Sequence, residues 1–233
     1  MEKRYKSLSL IEFQRMFPDD RACHKYLADL KWKDCYKCKK CGYTKYCKGI
    51  KEFDRQCNKC GRLESPTAGT LFHQCKFSLL KAFYIVFYIS ASKNGVSSCE
   101  LSRKLELRQK TCWLFKQKVM KAMESSQNFP IVGEVEVDES YVGGQDDKAM
   151  GKNEGKKKIM VVGIERGSKG VSRWFGRVVE TASKANLGGF MKDPYINEYT
   201  YRFNRHKMKE GFFENLMRRM AAKSPYPYKE FTY

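Results

Sequence analysis

The spacing of apolar side chains changes character twice along this chain. At the N-terminus it is helical: Leu10, Phe13, Met16 and Phe17, then Tyr26, Leu27 and Leu30. Pro18-Asp19-Asp20 interrupts the pattern, and Asp19 or Asp20 can cap a second helix, so two short helices are predicted. Ser65 to Thr70 reads as a loop. Phe77 to Ser90 is almost wholly apolar and reads as a buried helix, and Lys93-Asn94-Gly95 reads as a turn. Ser97-Ser98-Cys99-Glu100 fits a capping box, in which the Ser97 hydroxyl takes the Glu100 amide while the Glu100 carboxylate reaches back. The short helix it opens turns Leu101 and Leu105 inward. After a break near Leu107-Arg108, a second helix is predicted from about Gln109 to Met123, with Cys112, Phe115, Val119 and Met123 on one face.

Beyond Pro130 the period drops to two, which puts a domain boundary near Asn128. Gly133 to Gly144 reads as a strand. Glu134, Glu136 and Asp138 share one face, Val135 and Val137 share the other, and Gly143-Gly144 ends it. An acidic face of this kind suits a hard divalent cation, although a solvated strand face has the same appearance. Gln145 to Lys158 is a polar insert, predicted to be a mobile loop. Ile159 to Glu165 is nearly all apolar and is predicted to be a buried strand. Arg166 to Gly170 forms a turn, Val171 to Val179 a third strand, and Ser183 to Met191 a helix. Three consecutive strands with an acid on the first, followed by a helix, is how an RNase H-like fold begins.

Charge narrows the choice of partner. The 233 residues carry 46 Lys and Arg against 26 Asp and Glu, a formal charge of +20. Such a surplus favours a polyanion, with nucleic acid ahead of an anionic membrane. The longest apolar run, Phe77 to Ser90, contains Lys81 and falls short of the roughly 20 residues that a membrane span needs. Met1 to Tyr5 lacks the apolar core of a signal peptide. The expected location is the cytoplasm, in association with the nucleoid, or the nucleus if the source is eukaryotic.

Six of the ten cysteines fall between Cys35 and Cys60. Cys38-Lys39-Lys40-Cys41-Gly42 and Cys57-Asn58-Lys59-Cys60-Gly61 are two CxxCG knuckles with fifteen residues between Cys41 and Cys57. This spacing points to a zinc ribbon. The glycine after each pair permits the tight turn that aims backbone N–H groups at the sulfurs. Four thiolates leave zinc no open position, so the ion is expected to be structural. Cys35 and Cys47 remain alternatives for one of the four. Lysines and arginines stud the ribbon, and Tyr36, Tyr43, Tyr46 and Phe53 are interleaved with them, a surface suited to phosphate contact, although some of these aromatics must pack the ribbon's very small core.

The two helices after Gly95 are joined by a short turn, and the second is basic. This is the layout of a helix-turn-helix, with Arg103, Lys104, Arg108, Lys110, Lys116 and Lys118 as candidate DNA contacts. A three-helix bundle with a solvated basic face has the same pattern.

Taken together, CKKCG and CNKCG, TAGTLFH (Thr67 to His73), GVSSCELSRKLELRQKTCW (Gly95 to Trp113), VEVDESYVGG (Val135 to Gly144), VVGIERG (Val161 to Gly167) and NEYTYRFNR (Asn197 to Arg205) follow a family order. The chain resembles small zinc-ribbon insertion-sequence transposases of the DDE class, the bacterial relatives of eukaryotic Merlin elements. The resemblance implies an RNase H-like core. In it, two aspartates and then a glutamate or amide-type residue hold two Mg or Mn ions that activate water, and later a DNA 3′-hydroxyl. Asp138 stands at the first of these positions. The implied partner is double-stranded DNA at the element's terminal inverted repeats, with homo-oligomers or mixed oligomers with full-length transposase.

The second and third ligands have no counterpart. After Asp193 the chain passes directly to Pro194–Arg205, which in the family lies in a C-terminal helix beyond the third catalytic residue. The gap amounts to roughly 70 to 90 residues, about two strands and the helices around them. Asp193 and Glu198 are nearby acids, but neither sits in the family's motif. The expected fold is therefore an α+β multidomain chain. It comprises N-terminal helices and zinc ribbon (1–65), a helix-turn-helix-like region (66–128), a truncated RNase H-like α/β domain (129–193) and a C-terminal helical segment (194–233). The truncation is expected to leave a strand edge and apolar surface open, covered in part by the C-terminal helices. The expected function is DNA binding without strand cleavage. The alternatives are an active transposase with a non-standard or in-trans metal site, and a zinc-ribbon regulator.

Overall fold

In the computed structural model, residues 8–92, 94–124, 134–142, 158–167, 170–179, 194–205 and 211–227 are described. They form an α+β protein with seven helices and two three-stranded antiparallel sheets. The chain divides into two compact units, 1–122 with 208–233, and 123–207. The expected boundary near Asn128, the insert from Gln145 and the helix from Ser183 to Met191 lie outside the described residues.

In the first unit, α1 spans Leu10–Met16 and α2 spans Asp20–Lys31. Ser9 and Glu12 form a full capping box on α1, a signal the hydrophobic pattern does not carry. Asp19 caps α2 by accepting the Ala22 N–H at 2.7 Å. Asp20 is thereby released for a longer-range task. Its carboxylate accepts the Ser78 hydroxyl at 2.9 Å and the Leu80 N–H at 2.6 Å, which pins α2 to the start of α3, Leu79–Ala91.

Helix α3 is apolar on nearly every side because it is wrapped on nearly every side. Leu79, Ala82, Phe83, Ile85, Val86, Phe87 and Ile89 are all buried. The far end of the chain completes this core. Helix α7, Phe212–Ala222, buries Phe212, Phe213, Leu216, Met217 and Met220. Phe13, Phe17 and Phe83 meet Phe213 with ring centroids 5.7, 5.7 and 6.4 Å apart. The Phe13 and Phe83 contacts are edge-on and the Phe17 contact is tilted, and such aromatic pairs add to the area they bury.

Helices α4, Ser98–Leu105, and α5, Gln109–Met123, follow the predicted bounds closely. Leu101, Leu105, Cys112, Phe115 and Val119 face inward. The turn between them puts Glu106 in the left-handed region at φ 52°, and Ser102 Oγ donates to the Leu107 carbonyl at 2.6 Å. The Gln109 amide donates to Ser98 Oγ, which ties the two helices together. The capping box at Ser97 is only half formed. Ser97 Oγ accepts the Glu100 N–H at 3.1 Å, but the Glu100 carboxylate pairs with Lys104 at 2.7 Å instead of reaching back. A cation one turn along is a stronger partner for a carboxylate than a neutral amide. Arg219 and Lys223 donate to the carbonyls of Ala122 and Lys121, which caps the C-terminal end of α5.

The second unit holds β4 (Val135–Val142), β5 (Lys158–Gly167) and β6 (Gly170–Val179) in the order β4-β5-β6. Val137 pairs with Gly163, and Asp138 with Val162. The bidentate Arg166–Glu136 pair joins β5 to β4 on the acidic face. Helix α6, Pro194–Arg205, packs against β6. Asn204 uses both halves of its amide there: Oδ1 accepts the Trp174 N–H at 2.8 Å and Nδ2 donates to the Trp174 carbonyl at 2.9 Å. These are the two backbone groups that an edge strand leaves open, so one side chain protects the edge. A Cβ at Gly176 would stand 2.3 Å from the Trp174 ring, so only glycine lets the indole lie across the strand and meet Tyr199 edge-on at 4.7 Å.

One expectation for this sheet is corrected. The apolar strand β5 is not buried: Val161 is, while Ile159, Met160, Val162 and Ile164 are half-buried. Strand pairing covers the edges of β5, but burial requires a layer over both faces. Among the described residues α6 is the helix packed on this sheet, and it lies at β6. Val135 and Val137 on β4 are 38% and 64% exposed.

No helix among the described residues is long and apolar enough to cross a membrane. Phe213→Ala is expected to cost about 3–5 kcal/mol in denaturant unfolding, because it removes the ring that three other phenylalanines pack against. No change in the unfolding midpoint would mean that α7 is not part of the N-terminal core.

Candidate functional site

Strands β1 (Tyr46–Lys48), β2 (Arg55–Cys57) and β3 (Leu63–Glu64) form a small antiparallel sheet that brings the two CxxCG turns together. Gly42 and Gly61 adopt φ of 71° and 67°, and their N–H groups donate to the carbonyls of Cys38 and Cys57, both at 2.9 Å. A side chain at either position would be strained. The turns also aim the N–H groups of Lys40 and Cys41 at the Cys38 sulfur, and those of Lys59 and Cys60 at the Cys57 sulfur.

The sulfurs of Cys38, Cys41, Cys57 and Cys60 all lie within 4.8 Å of one another. Cys38 to Cys60 and Cys41 to Cys57 each measure 3.5 Å. A zinc ion with about 2.3 Å bonds sets sulfurs about 3.8 Å apart in a tetrahedron, so the donor set and its size fit a metal ion such as zinc. All ten cysteines are free thiols, and Cys35 and Cys47 are exposed and stand outside the cluster.

The electrostatics of the cluster point the same way. Burial opposes charge on Cys38, yet the N–H groups of Cys41 and Lys40 and the neighbouring thiol of Cys60 bring its pKa down to about 6. Cys41 goes the other way, to about 12. The Tyr43 N–H favours its thiolate, but burial and the thiols of Cys57, Cys60 and Cys38 outweigh it. Without a cation the cluster cannot carry four charges together. A dication removes that conflict and ionises all four sulfurs.

Around the cluster, Tyr36 and Phe53 pack into the small core that the ribbon aromatics were expected in part to fill, while Trp32 and the buried ion pair nearby were not legible in the sequence. Trp32 and Tyr36, just before the first knuckle, pack with Ala28 against Cys38 and Cys57. The Arg55 guanidinium lies 4.3 Å from the Trp32 ring and 4.1 Å from the Tyr46 ring. Two of the expected ribbon aromatics are thereby committed to structure. Lys31 at the end of α2 pairs with Glu64 on β3 at 2.8 Å, with side chains 8% and 4% exposed. Lys31 also donates to the carbonyls of Ser65 and Ala68. Burial pulls the Lys31 pKa down, against the pull of Glu64. Nothing in so long a sequence separation announces such a pair.

The six candidate DNA contacts do not share one environment. Arg103, Arg108 and Lys110 are exposed around the α4–α5 turn. Lys104 is exposed but pairs with Glu100 and lies 4.7 Å from the Tyr88 ring centre. Lys116 is half-buried and donates to the Val96 carbonyl at 2.8 Å. Lys118 is half-buried, and burial lowers its pKa.

Asp138 is not part of the metal-ligating cluster. Among the described residues the four cysteines form the one group of three or more side chains placed to hold a metal, so Asp138 on β4 stands apart from any such group. Glu198 is buried on α6 and pairs with Arg202 at 2.6 Å. Asp193 lies outside the described residues. No family model, curated protein or solved structure matches this chain.

Cys38→Ser and Cys57→Ser are each expected to lower the metal content of the purified chain, read by elemental analysis for zinc, and to melt the ribbon. Cys47→Ser should retain both metal and fold. Full zinc stoichiometry in Cys38→Ser and Cys57→Ser would overturn the ligand set.

Proposed function

We propose that this chain is a DNA-binding relative of DDE-class insertion-sequence transposases that occupies the ends of an element without cutting them. The observation that carries the reading is the α4–α5 pair: two helices joined by a three-residue turn, with Arg103, Arg108 and Lys110 exposed around it, on a chain of charge +20. Helix-turn-helix units lay the second helix in the major groove while nearby cations hold phosphates. The cysteine ribbon adds a second basic surface. In this reading β4, β5 and β6 are the opening strands of an RNase H-like domain, and Asp138 is the relic of its first metal ligand. One carboxylate holds hydrated magnesium too loosely for two-metal phosphodiester chemistry. Binding is the activity that remains. It blocks the ends or forms mixed oligomers with full-length transposase.

The test is anisotropy titration of duplex DNA taken from the flanks of the gene encoding this chain, against a scrambled duplex, across a salt series. Binding to the flanking duplex should survive competitor DNA. Arg108→Ala and Lys110→Ala should each weaken it and reduce the salt slope by about one. Equal affinity for both duplexes, collapsing together as salt rises, would reduce the reading to bystander basicity.

A further inference from the structure

Ile50 stands further out of this protein than any other large apolar side chain among the described residues, at 88% exposed. It sits at the tip of the β1–β2 hairpin of the cysteine ribbon, in the sequence Lys48-Gly49-Ile50-Lys51. A single apolar side chain on a surface needs no explanation by itself. The tip that carries this one is built. The Gly49 N–H donates to the Asp54 carbonyl at 2.9 Å, and the Asp54 N–H donates to the Lys51 carbonyl at 3.0 Å. A Cβ on Gly49 would stand 2.7 Å from Asp54 Cβ, which this paired backbone holds in place, so glycine lets the loop close tightly. Two of the four residues that the closure encloses serve the fold. Phe53 packs against the cysteine cluster, and Glu52 is held bidentate by Arg21 of α2. Ile50 and Lys51 are left exposed at the end of the hairpin.

The charge around the tip selects its partner. From Cys35 to Leu63 the chain has two acids, and neither is open to a ligand: Asp54 is buried and Glu52 pairs with Arg21. Lys45, Lys48, Lys51 and Lys59 are all exposed. A surface of cations with no unpaired acid among them suits a polyanion. An anionic membrane offers the same charge, but one aliphatic side chain buries too little to hold a bilayer.

Phosphates give Ile50 nothing. On a duplex, an aliphatic side chain flanked by cations finds its apolar surroundings between the bases. The minor groove is about 6 Å wide, which admits a side chain but not a two-stranded ribbon, and apolar wedges entering there unstack a base step and kink the helix. We propose that Ile50 is such a wedge, entering a base step from the minor groove while Lys48 and Lys51 hold phosphates on either side. This rests on the reading that the chain binds duplex DNA, and it adds a contact that senses how easily the duplex deforms rather than the edges of its bases.

The experiment is anisotropy titration of the full chain, with zinc present, against a matched duplex and the same duplex carrying a central mismatch. Dyes at the duplex ends report the bend by energy transfer. The variants are Ile50→Ala, Ile50→Leu and Lys51→Ala, each checked by circular dichroism. A mismatch has already lost part of its stacking, so the native chain should bind it at least about tenfold tighter than the matched duplex and bring the dyes closer. Ile50→Ala should erase both the preference and the bend at an unchanged salt slope, and Ile50→Leu should keep both. Lys51→Ala should lower the salt slope by about one. Equal affinity of the native chain for the two duplexes, or a preference retained by Ile50→Ala, overturns the wedge and leaves the α4–α5 reading standing. If Ile50→Ala loses the preference while Arg108→Ala and Lys110→Ala bind as the native chain does, the wedge stands and recognition by α4 and α5 falls. Binding to neither duplex overturns both, and Ile50-dependent binding to phosphatidylserine vesicles in place of DNA overturns the wedge.

Discussion

Four sulfurs crowded within 4.8 Å set the condition on which the small ribbon sheet and its contacts rest. The strands that carry them are two or three residues long, and the core beneath them is little more than Trp32, Tyr36 and the sulfurs themselves. Burial on that scale does not offset the entropy of ordering the chain. In such a site the free energy of metal binding becomes the free energy of folding. The consequences spread outward. Arg55 can stack on Trp32 and Tyr46 only while β1 and β2 are paired, and Glu64 reaches Lys31 only while β3 joins them.

The aromatic core has a different source of stability. Helices α1, α3 and α7 meet through Phe13, Phe17, Phe83 and Phe213, contacts that join the start of the chain to its end. The two supports are linked by α2, which is tied to α3 through Asp20 and to the ribbon through Lys31. Duplex binding, in the function proposed, asks little more of the protein than this frame and exposed cations upon it. Phosphodiester cleavage asks much more. It needs two ions held by several carboxylates at fixed positions, and Asp138 on β4 is a single carboxylate.

What could be read from the sequence was what is local. The helices from Leu10 to Met123 follow the apolar spacing almost residue for residue, since periodicity and end signals act within a few positions. The cysteine cluster was legible for the same reason: CxxCG fixes each knuckle by itself, and chemistry then demands that two knuckles meet. Long-range pairings were not. Lys31 with Glu64 and Asn204 with the Trp174 backbone depend on which elements pack together, and no spacing rule encodes that. Strand β5 shows the converse error. An apolar run signals the capacity for burial, but burial depends on whether a layer exists to cover it. Lys116 and Lys118 show it again for charge, since the basic pattern of α5 does not reveal that one lysine is spent on a carbonyl and another sits half under the surface.

The central claim is recognition of DNA without strand scission, and the most direct measurement is cleavage of the flanking DNA with Mg²⁺ or Mn²⁺ present. The native chain and Asp138→Asn should be compared side by side, with binding confirmed in the same reactions. The account predicts that both bind and that neither cuts. Divalent-dependent cleavage by the native chain that disappears in Asp138→Asn would contradict it, and would mean that the remaining metal ligands come from elsewhere in this chain or from a partner.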